Sequence, residues 1–254
     1  MLASMVITLA ALLATGSSPG AADRPGNEGE VVQRLDVLHG RRDAPGAAAE
    51  SQRIADAAAA RSPSDYQVLW RAARAYFTLS DERDRSDEAR SRFGKTGWDL
   101  SQRAIAARPD GVEGHYWAAL CIGSFAQGMG VVRALANGIE GKFTHELERA
   151  TALDPSYDHG SIPVVWAAYH LEVPWPKRDR KKARQELARA LQLNPANLRA
   201  RLYLARILID EDQASAARSL LAEIAAAPIG RYDAPEERGA KREAALLSAS
   251  IKAP

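Results

Sequence analysis

Apolar and polar residues alternate with helical period along most of this chain, and prolines interrupt the pattern at intervals. Five times a helix rich in small residues runs into a proline: AAAARSP ends at Pro63, AIAARP at Pro109, ATALDP at Pro155, ALQLNP at Pro195 and IAAAP at Pro228. Proline lacks the backbone donor and clashes with the turn before it, so each one marks a helix end. The prolines lie 46, 46, 40 and 33 residues apart, a repeat of two helices with insertions in the longer units. The ninth and tenth residues after four of them are Ala72-Ala73, Ala118-Ala119, Val164-Val165 and Leu204-Ala205. Compact apolar residues at one register allow neighbouring helices to approach closely. Before the prolines, Ala183, Leu187 and Ala190 are matched by Ala217, Leu221 and Ile224.

This spacing and register resemble the tetratricopeptide repeat (TPR) family over residues 46–228. The resemblance implies an all-α, right-handed superhelix of about five helical hairpins, because a single hairpin cannot bury its own apolar face. The first pair is expected at Glu30–His39 and Gly46–Arg61. A charged terminal helix, Pro235–Ile251, with Leu246, Leu247 and Ile251 on its apolar side, is expected to cap the open end. Residues 1–22 then form a leader, 23–45 a linker with the first helix, 46–228 the repeats, and 229–254 the capping helix and tail. Three insertions should emerge as loops on one side of the array. Asp81–Arg92 reads as a solvated helical extension, and Gln127–Gly141 as a short helix folding back over the groove. Val173–Lys182 reads as a stiff loop with Trp175 between two prolines.

The leader changes where the protein is expected to work. Residues 1–22 carry no charged side chain, and the apolar run Met1–Ala14 is shorter than the ~20 residues a bilayer-spanning helix needs. Small residues up to Ala22 suit cleavage there, which predicts a periplasmic or secreted protein with no transmembrane segment after cleavage. No cysteine near the cut could carry a lipid. The alternative is a signal that is retained.

Composition narrows the function classes. With 254 residues, 46% hydrophobic and 26% charged, the chain is an ordered globular protein. Thirty-four basic residues against 32 acidic ones leave a formal charge of +2, too balanced for a protein held on nucleic acid by a broad field. The single cysteine, Cys121, permits no intrachain disulfide and no cysteine-based zinc site. In an oxidising compartment it should be buried.

Candidate chemistry is sparse. Ala89–Thr96, ARSRFGKT, fits the spacing of a nucleotide-binding P-loop, but a charged run precedes it instead of a buried strand; we read a helix start at Gly97-Trp98. His115, His145, His159 and His170 fall in different repeats without ligand spacing, and HELE at 145–148 is not HExxH. No nucleophile-base order or paired carboxylates stand out, so no catalysis, metal or cofactor is expected. Basic residues at Lys177–Lys182 oppose the dipole of the helix they precede. Solvent and Asp179 are expected to offset this, the alternative being an anionic partner.

The groove is the more informative constellation, since first helices line the concave side of such arrays. The seventh residue after each proline is Trp70, Tyr116, Ile162 and Leu202; the eleventh is Arg74, Leu120, Trp166 and Arg206; the fourteenth is Phe77, Gly123, Tyr169 and Ile209. Aromatics interleaved with arginines suit an extended peptide or an amphipathic carboxylate-bearing ligand. The candidate groove residues are therefore Trp70, Arg74, Phe77, Tyr116, Trp166, Tyr169 and Arg206. Pro163, early in its helix, predicts a slip of register in the third unit.

Two passages carry finer resemblances. His115-Tyr-Trp-Ala-Ala, continued through QGMG to Leu153-Asp-Pro, resembles bacterial relatives of the regulator of microtubule dynamics proteins. YDHG at 157–160, VPWPKRD and ARQELARALQLNP resemble the T component associated with TRAP transporters. The latter implies an exported partner of a solute-binding protein, a trimer and a channel for an apolar solute. Those proteins are often lipoproteins, and this chain lacks the acylated cysteine. The expected function is a non-catalytic scaffold or accessory component, and the alternative is the binding of a small amphipathic ligand in the groove.

Overall fold

The computed structural model describes residues 28–82, 85–174 and 176–251. The leader and Trp175 therefore lie outside the described residues. The elements are α1 (Glu28–His39), α2 (Ala47–Arg61), α3 (Tyr66–Ser80), α4 (Asp87–Ala107), α5 (Val112–Met129), α6 (Val131–Ala136), α7 (Ile139–Leu153), α8 (Tyr157–Glu172), α9 (Arg180–Leu193), α10 (Leu198–Asp210), α11 (Ala214–Ala226) and α12 (Ala234–Ser250). The fold is an all-helical superhelix of five hairpins and a closing helix, with α6 inserted within the third.

Local chemistry sets the helix starts. Asp65, Ser86, Asp179, Asn197 and Asp233 each accept a hydrogen bond from the backbone N–H three residues on, at 2.8–3.3 Å, satisfying donors that the helix itself leaves orphaned. Helix α9 begins at Arg180, so the expected loop ends before Lys182 and the basic run straddles the helix start: Asp179 caps it, while Lys177 pairs with Glu140 and Arg180 with Asp210. The Lys182 amide bonded to the Asp179 carboxylate holds it below its usual range.

Packing explains the curvature. The first helices of successive hairpins pack on one another along the series α1, α3, α5, α8, α10 and α12, whereas α2, α4, α7, α9 and α11 pack chiefly on the inner helices beside them, with single side-chain bonds such as Gln102 to Glu146 and Arg103 to the Ala59 carbonyl between outer helices. The inner row is thus drawn together, and the array bends around it. The predicted close-approach residues Ala72, Ala73, Ala118, Ala119 and Ala205 are all fully buried, as are Ala183, Leu187, Ala190, Ala217 and Ile224. Gly94 and Gly97 let α4 meet α5: a Cβ on Gly94 would lie 2.6 Å from the Phe125 nitrogen, and one on Gly97 2.5 Å from Cys121 Sγ. Cys121 is itself buried, and burial pushes its thiol far up from the ordinary range.

Four local expectations need correction. Helix α4 runs through ARSRFGKT without a break from Asp87, so Gly97 sits mid-helix and starts nothing. The insertion after α3 is helical only from Asp87 onward, because Ser86 provides the cap. In α12, Leu246 is 56% exposed; the helix packs through Ala240 and Ala244, with Leu247 and Ile251 beside them. At α8, which opens the fourth hairpin, the chain enters through three left-handed residues, Asp158, His159 and Gly160, and Pro163 is accommodated near the helix start, so position seven keeps its buried register at Ile162 instead of slipping.

Candidate functional site

The concave side of the array forms a half-open cavity of about 1510 Å³. It is lined from the α1–α2 turn to α12, because the two ends of the superhelix meet. Arg42 Nη2 donates to Asp233 Oδ2 at 2.8 Å, and Arg238 makes a two-pronged bond to Asp43 at 2.6 and 2.9 Å. Asp233 thus caps α12 and joins it to the first turn of the fold.

One wall is aromatic. Phe77 lies 5.7 Å from Trp117 between ring centres, Trp117 makes an edge contact with Tyr116 at 5.1 Å, and Phe143 stacks on Tyr169 at 5.6 Å. Tyr169 donates to Glu140 at 2.5 Å, and its burial together with that carboxylate pushes the phenol up. Helix α6, held between Gly130 and Gly138 at φ 92° and 70°, covers part of this wall. It buries Ala134 against Ile122 and Ile139, as the short folded-back helix was expected to do.

The opposite wall is charged. Arg199 donates to Glu236 and to Glu243, and Arg206 pairs with Glu243. Where α8 begins, Asp158 and His159 hold φ of 52° and 57°, a conformation that non-glycine residues adopt at a cost of roughly 1–3 kcal/mol each. Asp158 Oδ2 accepts from the Tyr116 hydroxyl at 3.1 Å, and burial holds this carboxyl above its usual range. His159 lies 5.8 Å from Tyr232 of the α12 approach.

Of the residues singled out in the sequence, Phe77, Tyr116, Tyr169 and Arg206 line this cavity. Trp70 lies in the packing between helices, donating to Gln67 with Arg71 over its ring at 4.0 Å. Position seven is a core position throughout, since Trp70, Tyr116, Ile162 and Leu202 are all buried. Arg74 is buried and bonded to Asp36 at 2.6 Å and to the Leu35 carbonyl; it faces a smaller adjoining pocket of about 350 Å³. Trp166 donates to Thr151 Oγ1 at 3.0 Å, away from the cavity wall. Sequence reasoning missed Arg42, Asp233, Arg199 and Glu236. Long-range charge pairing leaves no periodic signal; only Asp233-Ala-Pro, a capping pattern, was visible. Among the described residues no group of three or more His, Cys, Asp or Glu side chains could hold a metal ion.

The family model of the regulator of microtubule dynamics proteins 1-3 matches residues 31–160, just over half of the chain. The chain belongs to this family. In this family member a tetratricopeptide repeat model also matches residues 177–228, so repeat character continues beyond the first match. A crystal structure of TTC0263, a thermophilic TPR protein of Thermus thermophilus, is similar with a TM-score of 0.59 at 18% identity. The similarity covers 85% of this chain and 98% of that one and shows the fold alone. No curated protein matches the chain significantly. No described helix is long and apolar enough to cross a membrane.

Proposed function

We propose that this protein is a non-catalytic interaction scaffold whose inner cavity receives a segment of a partner protein. The observation that carries the reading is the cavity itself. At about 1510 Å³ it exceeds the roughly 300–1,000 Å³ of pockets shaped around drug-sized ligands, and it is walled by the concave helices that such repeats use for recognition. Mixed aromatic and charged walls suit a peptide, which brings both apolar side chains and polar backbone. Export, suggested by the leader at residues 1–22, and a periplasmic solute-binding protein as partner, suggested by the resemblance of residues 157–195 to the TRAP-associated T component, belong to the same proposal.

The test uses lining positions that the fold does not need. Leu246 faces the cavity yet is 56% exposed, so Leu246→Asp, combined with Val131→Asp, should abolish capture of the partner from an extract of the host while thermal unfolding stays unchanged. Leu193→Asp, at a residue outside the cavity and 43% exposed, should leave capture intact. Native mass spectrometry of the same extract distinguishes the competing occupant: an added mass of a few hundred daltons, lost in the Leu246→Asp/Val131→Asp variant, would replace the scaffold by a carrier of a small amphipathic ligand. A self-assembled trimer would appear in the same spectrum.

A further inference from the structure

The charges on the cavity wall are unequal. Among the described residues, nine carboxylates and five arginines line it. Four of those arginines are already committed to lining carboxylates: Arg42 to Asp233, Arg85 to Glu82, Arg199 to Glu236, and Arg206 to Glu243. The fifth, Arg242, acts on Asp43, which is bonded to Arg238. Glu140 is met by Lys177 from outside the lining. That leaves Asp81, Asp158 and Glu172 without an ion pair among the described residues. Asp158 accepts only neutral donors such as the Tyr116 hydroxyl, and Glu172 accepts from the Gln127 amide at 3.2 Å.

The cavity also offers aromatic surface. Phe77, Phe93, Trp117, Phe143, Tyr169 and Tyr203 all line the cavity, and rings of this kind attract a cation over their faces as well as apolar groups. An anionic guest would meet four arginines already paired with carboxylates and would lie beside three carboxylates that no cation among the described residues contacts directly, although Arg199 and Arg42 act on Asp81 and Arg206 on Glu172 from farther off. A cationic guest meets three carboxylates without a direct ion pair beside an aromatic lining, of which Phe93 and Tyr203 already lie under Arg85 and Arg206.

We infer that the segment received in the cavity is basic, a peptide stretch with lysine or arginine set among apolar residues, bound through Asp81, Asp158 and Glu172. This rests on the scaffold reading above and names the chemistry of its partner. It reverses the polarity that Arg74 and Arg206 suggest in the sequence, because tertiary contacts consume both guanidinium groups. Water reaches Asp81 and Glu172 through the cavity, yet the surrounding protein pushes their carboxyls, and that of Asp158, above the usual range. A cation brought alongside relieves that cost.

The experiment uses the full chain and three fluorescent peptides of one length and one set of leucine and phenylalanine positions, whose remaining positions are all lysine, all glutamate or all serine. In fluorescence anisotropy at low salt the lysine peptide should bind at least ~10-fold tighter than the glutamate peptide, about 1.4 kcal/mol. Raising the salt should narrow the gap. Asp81→Asn combined with Glu172→Gln, which keeps an acceptor for Gln127, should reduce the ratio severalfold while the serine peptide is unaffected. Equal or tighter binding of the glutamate or serine peptide overturns the charge preference and leaves the scaffold reading standing. An unchanged ratio in the double variant removes the assignment to these carboxylates. No binding of any of the three overturns both.

Discussion

Arg42, in the turn after the first helix, donates to Asp233, the capping residue of the last, at 2.8 Å across 191 residues of sequence. A repeat array is quasi-one-dimensional, each unit touching its neighbours, and this bond is one of the few contacts joining its two ends. With Arg238 on Asp43 it joins the two ends of the groove, which remains a half-open cavity.

Closure by ion pairs alone should be sensitive to salt. Asp233→Asn keeps an oxygen for the Glu236 amide but removes the charge that Arg42 meets. Partly exposed pairs contribute about 0–1 kcal/mol each, so the expected effect on melting temperature is small. The expected structural effect is larger: Asp233→Asn combined with Arg238→Ala should raise the radius of gyration in small-angle scattering, and high salt should do the same to the native chain. Identical scattering curves under all three conditions would show that packing alone holds the ends together.

His115 and Glu146 form a buried pair at 2.6 Å joining α5 to α7, with the other His115 nitrogen on the Pro109 carbonyl. The bond to Glu146 raises the His115 pKa above its ordinary 6.5 against the opposing effect of burial. Burial pushes Glu146 up, but His115 and Gln102 together bring its carboxyl below 4.5. The histidine's contribution is complete below pH 6.5 and is lost as pH rises through its raised value. The carboxylate's is complete above pH 4.5 and is lost as pH falls through its lowered value. The pair should therefore stabilise most between pH 4.5 and 6.5. Glu146→Ala should cost roughly 3 kcal/mol there, with a gap in melting temperature that narrows towards both extremes. A gap independent of pH would assign the loss to packing.

Gly128 in α5 is required by close approach, for a Cβ there would lie 2.4 Å from both the Asp87 carbonyl oxygen and the Ser91 nitrogen of α4. Backbone atoms cannot rotate away, so Gly128→Ala should destabilise by roughly 2–3 kcal/mol through overpacking. Gly141, in the first turn of α7, has open space around it, and Gly141→Ala should stabilise by about 0.5–1 kcal/mol. Urea denaturation of the two variants measures both signs.

Glu237 is fully buried in α12, and its carboxylate accepts the backbone N–H groups of Gly230, Arg231 and Tyr232. This fixes the loop that leads from α11 into the capping helix. Glu237→Ala leaves three donors without partners and should cost roughly 2–4 kcal/mol. Hydrogen exchange should rise first at residues 230–232, before the repeats are affected; uniform exchange would place the loss in the whole array.

The repeated structure was legible in the chain because it depends on local chemistry. Prolines at 63, 109, 155, 195 and 228 end helices whatever surrounds them, Asp65 and Asn197 two residues after two of them cap the next start, and small residues at one register demand close packing. Burial at Ala72, Ala118, Leu187 and Leu221 follows from that periodicity alone. The polarity of the cavity does not. Arg74 and Arg206 look available along the sequence, and only the fold brings Asp36 and Glu243 to them. Trp70 and Tyr116 share a register and the same core cluster, and only the fold places Tyr116 where it also borders the cavity. The meeting of Arg42 with Asp233 belongs wholly to tertiary structure, because the sum of small rotations over five hairpins decides whether two ends separated by most of the chain come within hydrogen-bonding distance. Local rules set each hairpin; the accumulated geometry sets which charges remain free.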